Sequence, residues 1–146
     1  MKIYLATDHA GYELKEKIKE WLTGWNYDFE DMGAYKYNET DDYPDLIRPA
    51  VKSVAHDPEN SKAIILGGSG QGEAMVANRY QGVRATVYYG GSEDILKLSR
   101  EHNDANVLSL GARFLNEEET KKAIKIWLET KFSEQDRHVR RINKLN

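Results

Sequence analysis

The sequence of 146 residues contains no cysteine. That absence removes disulfides, thiolate zinc sites, iron–sulfur clusters and thiol nucleophiles together, so any chemistry must run on oxygen and nitrogen groups. Proline is scarce, with 3 residues. No apolar run approaches the roughly 20 residues that a membrane span needs. Excess charge is also lacking: 21 Lys plus Arg against 24 Asp plus Glu gives −3, too little to attract nucleic acid or a membrane surface as a whole. The chain enters a strand-like pattern at once, without a signal-peptide stretch, and a cytoplasmic protein is the simplest expectation. At roughly 100–200 residues per domain, the length predicts one domain over 1–146. Its 40% apolar and 31% charged residues suit one core under a soluble surface.

Within these limits two periodicities alternate. Ile3–Thr7 reads as a strand buried on both faces. Leu14, Ile18, Trp21 and Leu22 follow at helical spacing, with Lys15, Glu16, Lys19 and Glu20 on the opposite, polar side and Gly24 as the closing glycine. Tyr27–Met32 is a second strand, followed by a tyrosine-rich loop over 33–43. Pro44 then opens a helix that Pro49 is expected to shorten or kink. Ala63–Leu66 is the third strand, 74–79 is helical, and Val83–Tyr88 is the fourth strand. A further helix sets Ile95, Leu98, Ser99 and His102 on one face before a strand at Asn106–Leu110. Asn116 and Glu119 form a capping box ahead of the stripe Ala123, Ile124, Trp127 and Leu128. Ser133 is placed as the cap of a last helix, about 133–146, carrying Arg137, Arg140, Arg141 and Lys144.

Strands alternating with helices predict a parallel sheet covered on both faces. Ligands of such sheets bind beyond the carboxyl ends of the strands. Chemistry is therefore sought at Asp8-His9, at the 67–73 loop and over His102–Arg113. The loop Gly67–Gly72 has four glycines in six residues, which lets backbone N–H groups converge on an anion. It is not a Walker A loop, because Glu73 stands where the lysine belongs, nor a dinucleotide fingerprint, nor a nucleophile elbow. A plain tight turn would explain one or two of the glycines. Glu73 is either a first-turn acid favoured by the helix dipole or a base beside oxyanion-binding N–H groups, suited to proton abstraction next to a carbonyl. Asp8-His9 is either a capped turn or part of a polar group that His102 joins at the ligand edge. Arg137 and Arg141, four apart, make either a solvated helix face or a phosphate clamp.

In order and spacing these segments resemble the ribose-5-phosphate isomerase B family, which includes the galactose-6-phosphate isomerase subunits. The residues that carry the resemblance are Asp8-His9-Ala10-Gly11, Asp42-Tyr43-Pro44, Gly67-Gly68-Ser69-Gly70 with Gly72, Ala77-Asn78, Arg84, Arg100 to Asn106, Gly111-Ala112-Arg113 and Arg137-His138-Arg140-Arg141. The resemblance implies a three-layer, doubly wound, Rossmann-like sheet of about five parallel strands. It also implies an aldose–ketose isomerase that needs neither metal nor organic cofactor, working as a homodimer or dimer of dimers in which the last helix reaches the neighbour's site. Many members carry a catalytic cysteine where this chain has Gly67; this chain resembles the branch with a glutamate six positions later, Glu73. By the same resemblance His102, with Asp8, would open the sugar ring. Glu73 would move a proton between C1 and C2 through an enediolate held by the Gly70, Gln71 and Gly72 N–H groups with help from Ser69, in a loop that Gly67 and Gly68 begin. His9, Arg113, Arg137 and Arg141 would hold the phosphate, the last two from the partner. Tyr43, Asn103 and Asn78 would contact sugar or position loops. Ribose 5-phosphate and ribulose 5-phosphate are the first expected substrates. A hexose 6-phosphate such as galactose or allose is the alternative, and a non-catalytic sugar-phosphate-binding domain is disfavoured by the presence of both Glu73 and His102.

Overall fold

The computed structural model describes residues 1–145, so residue 146 of the expected last helix lies outside the described residues. Five strands, β1 (Lys2–Thr7), β2 (Asp28–Asp31), β3 (Ser61–Gly67), β4 (Ala85–Tyr88) and β5 (Val107–Gly111), pair in parallel in the order β2-β1-β3-β5-β4. The helices are α1 (Tyr12–Gly24), α2 (Tyr43–His56), α3 (Gln71–Ala77), α4 (Asp94–Glu101), α5 (Glu117–Glu129) and α6 (Asp136–Ile142).

Alternation along the strands builds two cores. Ile3, Leu5, Ile64, Leu66, Leu108 and Leu110 face Ile18 and Leu22 of α1, Leu96 of α4, and Ile124 and Trp127 of α5. Ala6, Ala63, Ile65 and Val107 face Ile47, Ala50, Val51 and Val54 of α2 and Ala77 of α3. The result is the expected three-layer α/β/α sandwich. The Asn116–Glu119 capping box forms as expected, with the Glu119 N–H donating to Asn116 Oδ1 at 2.8 Å. Among the described residues no helix is long and apolar enough to cross a membrane.

Several local expectations fail for physical reasons. Lys15 is fully buried rather than on a polar face, because Nζ forms an ion pair with Asp31 and donates to the Ala34 carbonyl at 2.7 Å. The α2 helix runs through Pro49 for 14 residues; Pro49 is exposed, so its missing N–H leaves a carbonyl that water can satisfy. Asn26, not Gly24, takes the left-handed position after α1, at φ 61°. The α4 helix buries Leu96, Ser99 and Arg100 and leaves Ile95 and Leu98 exposed. The Arg100 guanidinium fixes that rotation by donating to Asp104 at 2.8 Å and to the carbonyls of Ala105 at 2.7 Å and Thr130 at 3.2 Å. Gln135, not Ser133, is the N-cap of α6, a helix of 7 residues.

Removing one partner of a buried ion pair strands the other. Lys15→Ala is therefore expected to lower the unfolding free energy by roughly 3 kcal/mol in urea denaturation.

Candidate active site

The sheet order reverses direction between β1 and β3, and in parallel sheets of this kind the crevice above the carboxyl ends at such a reversal is the usual ligand position. Both adjoining loops are shaped by close approach. After β1, Asp8 caps a single 3-10 turn, His9–Gly11, by accepting the Ala10 N–H at 2.9 Å. Gly11 is needed there because a Cβ would overlap Thr7 Oγ1 and lie 2.6 Å from Leu66 Cβ. After β3, Gly70 adopts φ 78° to turn the chain into α3. Ser109 Oγ donates to the Gly70 carbonyl at 2.6 Å, which ties the loop to β5. Ser69 and Gln71 stay exposed, with the Gln71 N–H donating to Ser69 Oγ at 3.3 Å.

This loop packs around the Glu73 carboxylate. Glu73 is only 4% exposed, and a Cβ on Gly67 would coincide with its carboxylate. The absence of a side chain at 67 thus creates the space in which the carboxylate sits, at the position from which a side chain at 67 would act. The Tyr43 ring covers Gly72, with the hydroxyl 2.6 Å from where a Cβ would stand, and Arg113 lies against Gly68. Burial pushes the Glu73 carboxyl above its ordinary value, and the neighbouring Asp8 charge adds to this. Burial raises Asp8 as well, against the Ala10 N–H bond that lowers it. Two neighbouring buried carboxyl groups, each with its proton affinity raised by burial, form a site suited to giving and taking protons.

The overlap at Gly67 carries a prediction. In Gly67→Ala the new methyl displaces the end of a flexible side chain, so the fold is expected to survive with stability changed by no more than about 1–2 kcal/mol. Turnover is expected to fall at least about 100-fold, because the carboxylate is pushed out of place. Paired thermal melts and steady-state kinetics check both halves.

His9 is held by a residue that no local motif points to. Its ring Nδ1 and its backbone N–H both meet Asp41 Oδ1, at 2.7 and 3.2 Å. The bond to Asp41 raises the His9 pKa above the ordinary imidazole value. Asp8, His9 and Asp41 also present one potential ligand atom each within 4.8 Å of one another, but His9 Nδ1 and Asp41 Oδ1 already satisfy each other. Asp41 is 32 residues from His9, so only the fold brings them together.

His102 is not part of this cluster. The expectation that Asp8, His9 and His102 meet at one edge of the chain is corrected by the direction of α4. Helices that link parallel strands run back toward the amino edge, and His102 ends α4 just before β5 begins. Because Gly67 pairs with Gly111 and Ala63 with Val107, a five-residue strand separates the two ends, roughly 13 Å. At the amino edge His102 stacks on His138 with ring centroids 4.2 Å apart, and Arg137 Nε donates to His138 Nε2 at 3.2 Å. Burial lowers the His138 pKa, and the charges of His102, Arg137 and Arg141 lower it further. Asn103 lies beside them and its carbonyl accepts from Arg84 at 3.1 Å. A cavity of about 760 Å³ at this end is lined by Arg84, Ser99, Asn103 and Leu145, not by Glu73. Asn78 is a loop clamp: its amide exchanges bonds with the Ala85 backbone at 2.8 and 3.1 Å.

One chain therefore assembles Asp8, His9, Tyr43, the Gly67–Gly72 loop, Glu73 and Arg113 at one edge, and His102, Asn103, Arg137 and Arg141 at the other. The sequence profile described as Ribose/Galactose Isomerase matches residues 3–145. Ribose-5-phosphate isomerase B of Mycobacterium tuberculosis is 39% identical over 143 residues, which cover 98% of this chain and 86% of that protein. The crystal structure of ribose-5-phosphate isomerase B from Mycoplasma genitalium with bound ribulose-5-phosphate superposes with a TM-score of 0.94 at 35% identity, covering 99% of this chain and 93% of the other. The Thermotoga maritima ribose 5-phosphate isomerase structure gives 0.89 at 40% identity, covering 99% and 96%.

Proposed function

The chain belongs to the ribose/galactose isomerase family, and on that premise we propose how its two edges carry out one reaction. The protein is an aldose–ketose isomerase that interconverts ribose 5-phosphate and ribulose 5-phosphate. Glu73 takes the C2 proton of the open-chain aldose, the N–H groups of Gly70, Gln71 and Gly72 with Ser69 hold the charge that develops on O1, the O2 hydroxyl proton passes to O1 in the enediolate, and Glu73 returns its proton at C1 to give the ketose. The observation that carries this reading is the buried Glu73 carboxylate, set over a side-chain-free Gly67 with its proton affinity raised.

Ring opening by His102 and phosphate capture by Arg137 and Arg141 require the amino edge of a second copy to close over the carboxyl edge of the first. His9 and Arg113 of the first copy meet the phosphate from the other side. Exposed Met75, Leu98, Val139 and Leu145 supply apolar surface that such a contact would cover. A two-fold dimer buries two equivalent contacts and forms two composite sites.

Comparing kcat/KM on ribose 5-phosphate with that on galactose and allose 6-phosphates tests the substrate. A preference for the pentose of at least about 10-fold is expected. A preference of that size for a hexose phosphate would assign the hexose reaction instead, and tight binding of all three without turnover would make the protein a binding domain.

A further inference from the structure

We propose that Asp41 is a positioning residue for substrate binding: it clamps His9 through the ring Nδ1 and the backbone N–H, so that the imidazole meets the substrate phosphate as a cation. This rests on reading His9 as a phosphate ligand. Asp41 Oδ1 serves both His9 groups, while Oδ2 is buried with no hydrogen-bond partner. A carboxylate held out of water with one oxygen unsatisfied is costly unless a positive charge stands next to it. The ring of His9 is in contact with it and can supply that charge.

The tautomer argument leads to the same state. With Nδ1–H committed to Asp41, a neutral His9 would present an unprotonated Nε2, an acceptor that repels a phosphate oxygen. Only the imidazolium donates at both nitrogens, so phosphate binding and the Asp41 bond together demand the charged ring. The groups facing His9 are Asp8 on its own turn, Asp41 and the Tyr37 ring from the loop before α2, and Arg113 after β5. The two carboxylates favour the cation and Arg113 opposes it. The raised His9 pKa agrees with that balance. Asp41 thereby extends tight binding to higher pH than a free histidine would allow.

The test is the pH dependence of KM for ribose 5-phosphate in the parent, Asp41→Asn and His9→Gln. The amide introduced by Asp41→Asn keeps an oxygen for Nδ1–H but not the charge. The KM of that variant is therefore expected to exceed the parent value by about tenfold near pH 8 and to converge with it near pH 6, with kcat within about threefold throughout. The phosphate's own ionisation is common to both proteins and drops out of the comparison. If His9→Gln raises KM while the Asp41→Asn profile superimposes on the parent's, Asp41 has no positioning role and the phosphate reading stands. If His9→Gln leaves KM unchanged at every pH, the phosphate reading fails and the proposal fails with it. Should Asp41→Asn not fold, the ring nitrogens of His9 in the parent, assigned among 4 histidines by the loss of signal in His9→Gln, decide by nitrogen NMR. Both are expected to be protonated at pH 7, and a neutral His9 ring there overturns the proposal.

Discussion

Glu73→Gln is expected to lower kcat for ribose 5-phosphate by roughly 10²–10⁴-fold, with KM little changed, and at the same time to make the protein more stable near neutral pH. The two effects share one cause. Burial raises the folded-state proton affinity of Glu73 above the ordinary value of 4.5, so between that value and the folded pKa the native state holds more protons than the unfolded state. Stability therefore falls as pH rises through this window, and above it the full cost of a buried charge is present. Glutamine removes the charge at nearly constant shape. The gain is expected to be of order 1 kcal/mol near pH 8 and to vanish below about pH 4, where the parent carboxyl is protonated in both states. The same shift places the acid limb of the parent's pH–rate profile above the ordinary carboxylate range, since the base must be ionised to accept the C2 proton. An inactive variant with unchanged stability across pH would mean that the carboxylate is not buried as described.

The second large effect concerns which chain supplies His102. Glu73→Gln and His102→Asn homodimers are each expected to lose nearly all activity. A heterodimer of the two, purified by a different tag on each chain, is expected to recover about half of the parental activity. In a two-fold dimer with composite sites, one site of the heterodimer combines both substitutions, while the other combines an intact Glu73 with an intact His102. If Glu73 and His102 instead met within one chain, every site in the heterodimer would carry one substitution and no activity would return. The separation of the two residues by the length of β5 makes recovery the expected result.

The layered fold is legible in the sequence because the central strands β3 and β5 are buried on both faces and read as short apolar runs, as in Ala63–Leu66. Glu73 is legible for a related reason: strand, glycine loop and helix start occupy consecutive residues, so six positions of sequence fix its place over Gly67. Family resemblance supplies the roles of the more distant residues. What escapes depends on partners far apart in the chain. Lys15 has the spacing of a surface lysine, and its burial is made tolerable by Asp31, 16 residues on, and by the Ala34 carbonyl. The orientation of α4 is set by Arg100 reaching Ala105 and Thr130, which outweighs the apolar spacing of Ile95 and Leu98. Grouping His102 with Arg113 puts it at the wrong edge, because the strand between them, legible at Asn106–Leu110, carries the chain from the amino edge to the carboxyl edge. That error has a functional consequence, since the fold moves His102 from the company of Asp8 to that of Arg137 and Arg141.

The most direct test of proton transfer by Glu73 is the fate of the C2 hydrogen when ribose 5-phosphate is equilibrated with the protein in deuterium oxide. Proton transfer through an enediolate predicts interconversion with ribulose 5-phosphate and, over many turnovers, deuterium at C2 of the recovered ribose 5-phosphate, both lost in Glu73→Gln. Interconversion that retains the original C2 hydrogen, or exchange that persists undiminished in Glu73→Gln, would contradict it.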